Sequence, residues 1–96
     1  MPEIEYFARF HARPGAEPAI LAALEEVTPQ TRREPACISV AFYRGLRDPS
    51  WFYVHSRWMS EEAFDAHAAE SHTVRFVETM EALIDHAWDG ARVERL

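Results

Sequence analysis

Polar and apolar residues alternate with a period of two along residues 4–13, which is the pattern of a β-strand with its even-numbered residues on one face. Aromatic and β-branched residues dominate two further short stretches, 37–44 and 51–58. Between these stretches, Asp48 and Pro49 indicate a turn. The pattern therefore predicts one strand near the start of the chain and, later, a hairpin.

The first helical pattern lies between the first strand and the hairpin. Pro18 suits the first turn of a helix, where its missing amide hydrogen is not needed. Apolar residues then recur at helical spacing as far as Val27. Pro29 interrupts the pattern, so we expect either a kink or an irregular last turn before Glu34 and Pro35.

Two more helices are predicted after the hairpin. Ser60 and Ser71 are the cap signals, and Glu61 and Glu62 put negative charge in the first turn of the earlier helix. Asp89-Gly90 indicates the turn that ends the later helix, and residues 91–96 are predicted to form a short last strand. The predicted inward faces carry Phe64 and His67 in the earlier helix, and His72, Phe76, Met80, Leu83, Ile84 and Ala87 in the later one.

The order β-α-β-β-α-α-β is that of the ferredoxin-like split βαβ plan, an α+β fold with a four-stranded antiparallel sheet and helices on one face. The sheet face away from the helices would have to be polar in a monomer. Instead, the second and third strands carry aromatic side chains on both faces. Because monomers rarely expose large apolar patches, we expect a homodimer in which sheet packs on sheet.

Composition narrows the class of protein. A chain of 96 residues corresponds to a single domain, 1–96, and its net charge of −6 with no basic cluster beyond Arg32-Arg33 argues against nucleic acid. The longest apolar stretches are too short for a membrane span, and the start of the chain has no signal-peptide pattern, so we expect no membrane partner and a cytoplasmic location. The single cysteine, Cys37, agrees with a reducing compartment and is most simply a buried strand thiol.

Three segments resemble a known family. They are EPAC at 34–37, WMSEEAFDAH at 58–67 and SH at 71–72. The chain resembles the antibiotic biosynthesis monooxygenase family of small dimeric α+β barrels. The resemblance implies insertion of oxygen into quinols or polyphenolic substrates, without a metal or organic cofactor, in a pocket between the sheet and the helices.

Some positions depart from the pattern of that family. Ser56 stands where members often carry Glu, and Val54 and Phe64 stand where the aromatic-polyketide branch has Asn and Tyr. The Trp and His positions of the haem-degrading branch fall at His67 and Val77, so the resemblance does not extend to haem degradation.

Histidine is the side chain best suited to the base that such chemistry needs, because a quinol must lose a proton before it can give an electron to oxygen. His72 is the first candidate, since a helix N-terminus disfavours the imidazolium and keeps the ring neutral. His67 could orient His72 or contact the ligand. Alternatively, His72 packs on Phe76 and His67 is a hydrogen-bonded core residue.

The remaining candidates would bind substrate. Trp58 would form a cavity wall and stack on a flat ring, and Tyr6 could donate to a substrate oxygen. Phe64, Phe76 and Val54 complete the predicted set. Five histidines are present, but no H-x-x-x-H, H-E-x-x-H or C-x-x-C spacing occurs, and the glycines stand alone at turns. We therefore expect neither a metal nor a nucleotide cofactor.

The sequence and the resemblance support two alternative functions. The first is a cofactor-independent monooxygenase acting on a small quinol-like or polyphenolic aromatic molecule. The second is a dimeric α+β barrel that binds a small hydrophobic ligand, or has a stress-associated role, without turnover. The departures at Ser56, Val54 and Phe64 motivate the second.

Overall fold

Strands and helices follow one another in the predicted order in a computed structural model that describes residues 2–96. The secondary structure begins with a strand, and the fourth strand completes the sheet. The elements are β1 Ile4–His11, α1 Glu17–Arg32, β2 Cys37–Arg44, β3 Trp51–Trp58, α2 Glu61–Ala68, α3 Ser71–Leu83 and β4 Asp89–Val93.

The four strands form one sheet in the order β2-β3-β1-β4, and each neighbouring pair is antiparallel. The long central pair aligns Ile4 with Trp58 and His11 with Trp51. In this order each helical connection leads from a central strand to an edge strand, which confirms the predicted α+β split βαβ plan. In the described part of the chain, no helix combines the length and apolar character needed to cross a bilayer.

The helices cover one face of the sheet and form the core with it. The predicted alternation of β1 is confirmed, because Ala8, Phe10 and Ala12 are buried on that face. Ile20 and Leu24 of α1 and Met80 of α3 are also at most 1% exposed and pack against this strand. Burial of an aliphatic side chain stabilises the fold by about 1.5–3 kcal/mol each, so this layer supplies much of the folding free energy.

Helix α1 continues through Pro29 rather than stopping there. Pro29 has no amide hydrogen to donate to the carbonyl of Glu25, one turn earlier. The last turn is closed instead by the amide of Arg33, which donates to the carbonyls of both Pro29 and Gln30. Of the two expected outcomes, the structure thus has the irregular last turn.

Helix α3 is shorter than predicted, and the expectation that Ile84 and Ala87 lie on its face is wrong. Its last residue is Leu83, and Ile84 adopts an extended conformation that forms a β-bridge with Ala12. The amide of Arg13 donates to the carbonyl of Leu83 at 2.9 Å, which fixes this end of the helix against β1. Hydrogen bonding to the sheet therefore overrides the helical pattern.

The predicted turn at Asp89-Gly90 is likewise part of a strand, because β4 begins at Asp89. Gly90 pairs with Ala8, and a Cβ atom on it would lie 2.0 Å from the hydroxyl oxygen of Tyr6. The glycine is needed for this close approach and not for a turn.

Of the two predicted caps, Ser60 is confirmed, since its Oγ accepts from the amide of Ala63 at 3.1 Å. Ser71 is not a cap: Glu70 occupies that position, with no side-chain hydrogen bond, and Ser71 is the first helical residue. Strand β2 contains a bulge at Ile38, so Cys37 pairs with Trp58. Burial raises the pKa of the half-buried Cys37 thiol, which makes it a poor nucleophile.

The sheet face away from the helices carries Phe7 and Tyr43, each 52% exposed, around a buried carboxylate. Glu5 accepts hydrogen bonds from Arg95 at 2.9 and 3.1 Å and from His55 at 2.7 Å. The Arg95 guanidinium, followed by the His55 ring, lowers the pKa of Glu5 to about 2. This network ties the end of the chain to the sheet.

The low pKa of Glu5 predicts a loss of stability in acid. In the unfolded chain Glu5 takes up a proton near its ordinary pKa of 4.5, whereas in the folded protein it does so only near 2. Its contribution is therefore complete above pH 4.5 and is lost as the pH falls toward 2. In urea unfolding at a series of pH values, Glu5→Gln should flatten this part of the profile. Glu25→Gln, on the exposed side of α1, should leave it as in the parent protein.

Candidate functional site

A cavity of about 210 Å³ lies between the inner face of the sheet and the helices. Its walls come from β1, β2 and β3 on one side and from all three helices on the other. The walls are mainly aliphatic and aromatic, with a few hydroxyl groups and one imidazole. The structure brings six of the predicted site residues to this cavity: Tyr6, Val54, Trp58, Phe64, His67 and Phe76.

The remaining predicted residue, His72, does not line the cavity. On α3 the lining residues include Thr73, Phe76 and Met80, which follow one another at helical spacing. His72 is one position before Thr73 and is therefore rotated by about 100° around the helix axis. Its side chain lies instead beside the groove between α1 and α3.

His72 and His67 are joined by a residue that the sequence analysis did not include among the site residues. Oε2 of Glu34 lies 2.8 Å from Nδ1 of His67 and 2.7 Å from Nε2 of His72. The three side chains are only 13–14% exposed. The segments EPAC, WMSEEAFDAH and SH, which are far apart in the chain, thus meet at one carboxylate oxygen. The position of Glu34 in the EPAC segment was the sequence signal that could have identified it as a site residue.

This contact determines which nitrogen of His67 carries hydrogen. An ionised carboxylate only accepts hydrogen bonds, so Nδ1 of His67 must be the donor. Within residues 2–96, Nε2 of His67 has no hydrogen-bond partner. In the neutral ring, Nε2 therefore carries the lone pair.

Aromatic packing and a short hydrogen bond position the cavity wall around His67. The ring of Trp58 lies 4.3 Å from that of His67, centre to centre. Nε1 of Trp58 donates to Oγ of Ser56 at 2.9 Å, and both side chains are buried. Ser56, one of the departures from the family pattern, thus fixes the orientation of the indole.

Tyr6 forms another part of the wall, and two residues that were not predicted as site residues determine its position. Nε1 of Trp88 donates to the hydroxyl oxygen of Tyr6 at 3.3 Å, and Trp88 also lines the cavity. Gly90 leaves room for that hydroxyl. The Tyr6 ring packs 4.6 Å from Phe64. Nothing in the local pattern distinguished Trp88 or Gly90, because both act through a residue more than 80 positions away.

A second cluster of polar groups lies at the surface. His11 contacts Oδ2 of Asp85 through Nδ1 at 2.7 Å and Oγ of Ser50 through Nε2 at 3.0 Å. This sequence of groups is similar to a Ser-His-Asp triad, but the Ser50 hydroxyl donates to Asp48. The cluster also lies outside the cavity lining. The arrangement does not favour nucleophilic catalysis.

Both clusters contain side chains that could hold a metal ion. The donor atoms of Glu34, His67 and His72 lie within 4.8 Å of one another, as do those of His11, Asp85 and His86. The side chains of the Glu34 cluster are 13–14% exposed, whereas those of the second cluster are 26–55% exposed. Sequence spacing did not reveal either cluster, because each joins separate segments.

The fold and the cavity define a ferredoxin-like α+β domain with an apolar cavity between its two layers. Residues 4–79 match the family described as antibiotic biosynthesis monooxygenase. The chain belongs to this family, as the three segments indicated. A search of curated proteins found no match.

Solved structures support the same fold. Rv0793 from Mycobacterium tuberculosis is 24% identical over 98% of this chain and 95% of that chain, with a TM-score of 0.93. PA3566 from Pseudomonas aeruginosa is 24% identical over 100% and 96% of the two chains, with a TM-score of 0.91. SnoaB from Streptomyces nogalater, a cofactor-independent oxygenase, is 15% identical over 99% and 94%, with a TM-score of 0.87.

The contact with Glu34 predicts the tautomer of His67. In ¹⁵N-detected imidazole spectra of the neutral ring, His67 should carry hydrogen on Nδ1. Glu34→Ala should remove this preference and lower the free energy of unfolding by about 1–3 kcal/mol, because it leaves two buried donors unpaired. Glu25→Ala is the matched control and should change neither quantity appreciably. Hydrogen on Nε2 of His67 in the parent protein would contradict the described contact.

Proposed function

We propose that the protein is a cofactor-independent monooxygenase that acts on a small quinol-like or polyphenolic aromatic molecule in the cavity. The observation that carries the proposal is the position of His67, whose ring lines an apolar cavity while its Nδ1 is bonded to Glu34. This arrangement leaves a basic nitrogen next to the bound molecule. The name of SnoaB as a cofactor-independent oxygenase supports the reaction class.

In the proposed reaction, Nε2 of His67 takes a proton from a hydroxyl group of the quinol. The resulting anion gives an electron to oxygen, after which one oxygen atom bonds to the ring. The quinol supplies both electrons that reduce the second oxygen atom to water, so the products are a hydroxylated quinone and water. No other reductant is needed.

Glu34 has a positioning role in this proposal. Its carboxylate holds His67 in the tautomer that can accept a proton, and it favours the imidazolium that forms. His72, on the same oxygen, holds Glu34 in place and makes no contact with the substrate. The initial prediction of His72 as the base is thus replaced by His67.

The cavity supports a small substrate. Its volume of about 210 Å³ exceeds the roughly 150 Å³ of an engineered cavity that binds benzene in another protein. One substituted ring, or a compact pair of fused rings, fits this volume. Stacking on Trp58 and Phe64 suits a flat molecule.

The alternative function is binding of a small hydrophobic ligand without turnover. Val54 and Phe64 support it, because both line the cavity and neither offers a polar atom to stabilise an anion. Under this alternative, His67 would only recognise a ligand hydroxyl. The two functions make the same prediction for binding and different predictions for oxygen consumption.

A homodimer remains part of the proposal. On the exposed sheet face, Tyr43 pairs with Tyr53 across the strands, and Phe7 stacks on His55 at 4.6 Å. These rings form an apolar surface that a second copy could cover.

The enzymatic proposal predicts oxygen uptake with one-ring or two-ring quinols, measured at an oxygen electrode against the rate of autoxidation. His67→Gln should lower kcat by about 10²–10⁴-fold, because it removes the proton acceptor. His86→Gln, an exposed histidine outside the cavity, is the control and should keep parental turnover. Quenching of tryptophan fluorescence by the quinol with no uptake above autoxidation would favour the binding function.

The dimer proposal predicts a mass of twice 11.1 kDa in light scattering at micromolar concentration. Tyr53→Glu should shift the protein toward monomer, because it places a charge within the apolar surface. Val74→Glu, at an exposed position of α3, should leave the mass unchanged. A parent protein that is monomeric at this concentration would refute the sheet-on-sheet dimer.

A further inference from the structure

The surface cluster around Asp85 has the donor chemistry of a metal site and no part in the proposed reaction. Its carboxylate is shared by two imidazoles, with Oδ2 next to Nδ1 of His11 and Oδ1 next to Nδ1 of His86. We infer that His11, Asp85 and His86 bind a divalent transition-metal ion such as Zn²⁺. Imidazole nitrogen and carboxylate oxygen are ligands that this class of ion prefers.

The distances suit a common ion. One donor atom from each residue lies within 4.8 Å of the other two. Zn²⁺ binds nitrogen at about 2.0–2.1 Å and carboxylate oxygen at about 2.0–2.2 Å, so in tetrahedral geometry its ligand atoms lie roughly 3.3–3.6 Å apart. Donor atoms that are now up to 4.8 Å apart must therefore approach one another through side-chain rotation. The ion replaces the hydrogens that now bridge the rings and the carboxylate.

The backbone holds the ligands in register before any ion binds. Asp85 donates its amide hydrogen to the carbonyl of His11 at 3.2 Å, in addition to the contact between their side chains. The adjacent bridge between Ala12 and Ile84 joins the same two segments. Such preorganisation limits the conformational entropy that binding would otherwise cost.

Neighbouring groups orient the ring of His11, one of the three proposed metal ligands. Nε2 of His11 contacts the Ser50 hydroxyl at 3.0 Å, and this hydroxyl donates to Asp48. A metal-binding histidine commonly has such a partner on its other nitrogen, which fixes the orientation of the ring. The ring of Trp51 packs 4.6 Å from His11 and restricts it further.

Exposure and charge favour this cluster over the buried one at Glu34. The side chains of His11, Asp85 and His86 are 26%, 38% and 55% exposed, which leaves open positions for water ligands. The net charge of −6 also attracts cations. At Glu34, by contrast, the three side chains are 13–14% exposed and water has little access.

The site has a structural consequence. Asp85 and His86 lie in the connecting segment, residues 84–88, that joins α3 to β4 and also contains Trp88 of the cavity wall. An ion bound to His11 would link this segment to β1. Because the three ligands assemble only in the folded protein, Zn²⁺ should raise the Tm.

Calorimetric titration with Zn²⁺ at neutral pH, after treatment with a chelator, tests the inference. We expect one ion per chain in the parent protein. His86→Ala and Asp85→Asn should each weaken binding at least tenfold and abolish the rise in Tm. His72→Ala, which removes a donor from the buried cluster, should bind Zn²⁺ with parental affinity.

Imidazole ¹⁵N spectra show which nitrogen atoms coordinate. Addition of Zn²⁺ should shift Nδ1 of His11 and of His86 and leave the His67 and His72 signals unchanged. Absence of binding at 100-fold molar excess of Zn²⁺ would overturn the inference. Binding that survives in His86→Ala and disappears in His72→Ala would also overturn it, because the ion would then occupy the buried cluster.

Discussion

The carboxylate of Glu34 is the constraint on which the organisation of the site depends. It lies in the connection between α1 and β2, is only 13% exposed, and contacts two histidines that come more than 30 residues later in the chain. An unpaired carboxylate there would be strongly destabilising, so docking of α2 and α3 must bring donors with it. His67 and His72 are those donors. The same contacts that make burial of the charge tolerable also fix the tautomer of the histidine beside the cavity.

Large aromatic side chains from the sheet and from the helices contact one another in the cavity wall. Trp58 and Phe64 meet edge to face at 5.8 Å, and Phe10 and Phe76 meet at 6.2 Å in the same way. Such aromatic pairs contribute about 0.5–1.5 kcal/mol beyond the area that they bury. A well-packed region around Ile20 anchors the other end of the helix layer. Ala8, Phe10, Leu24 and Met80 belong to this core and also line the cavity, so the same side chains contribute to stability and to the apolar walls.

The two faces of the sheet have different roles in the protein. The inner face supplies the core and the cavity, whereas the outer face carries exposed rings around the Glu5 network. The end of β1 has a third role, because the carbonyl of His11 accepts a hydrogen bond from Asp85 in the connecting segment 84–88. Contacts made by β1 therefore influence the core, the outer surface and the Trp88 side of the cavity. This central position in the sheet follows from its pairing with both β3 and β4.

Local sequence patterns were sufficient to predict the order of the elements, the inward face of β1, the cap at Ser60 and the family. These properties depend on local periodicity, on side chains that bond to their own backbone, and on short motifs. These patterns also indicated six residues of the cavity wall, because inward-facing side chains on two layers must meet. They did not reveal that His72 faces away from the cavity, that Glu34 joins both histidines, or that α3 ends at Leu83. Those outcomes depend on helix rotation, hydrogen bonds to distant strands and the burial of a charge, which arise only when segments far apart in the chain pack together.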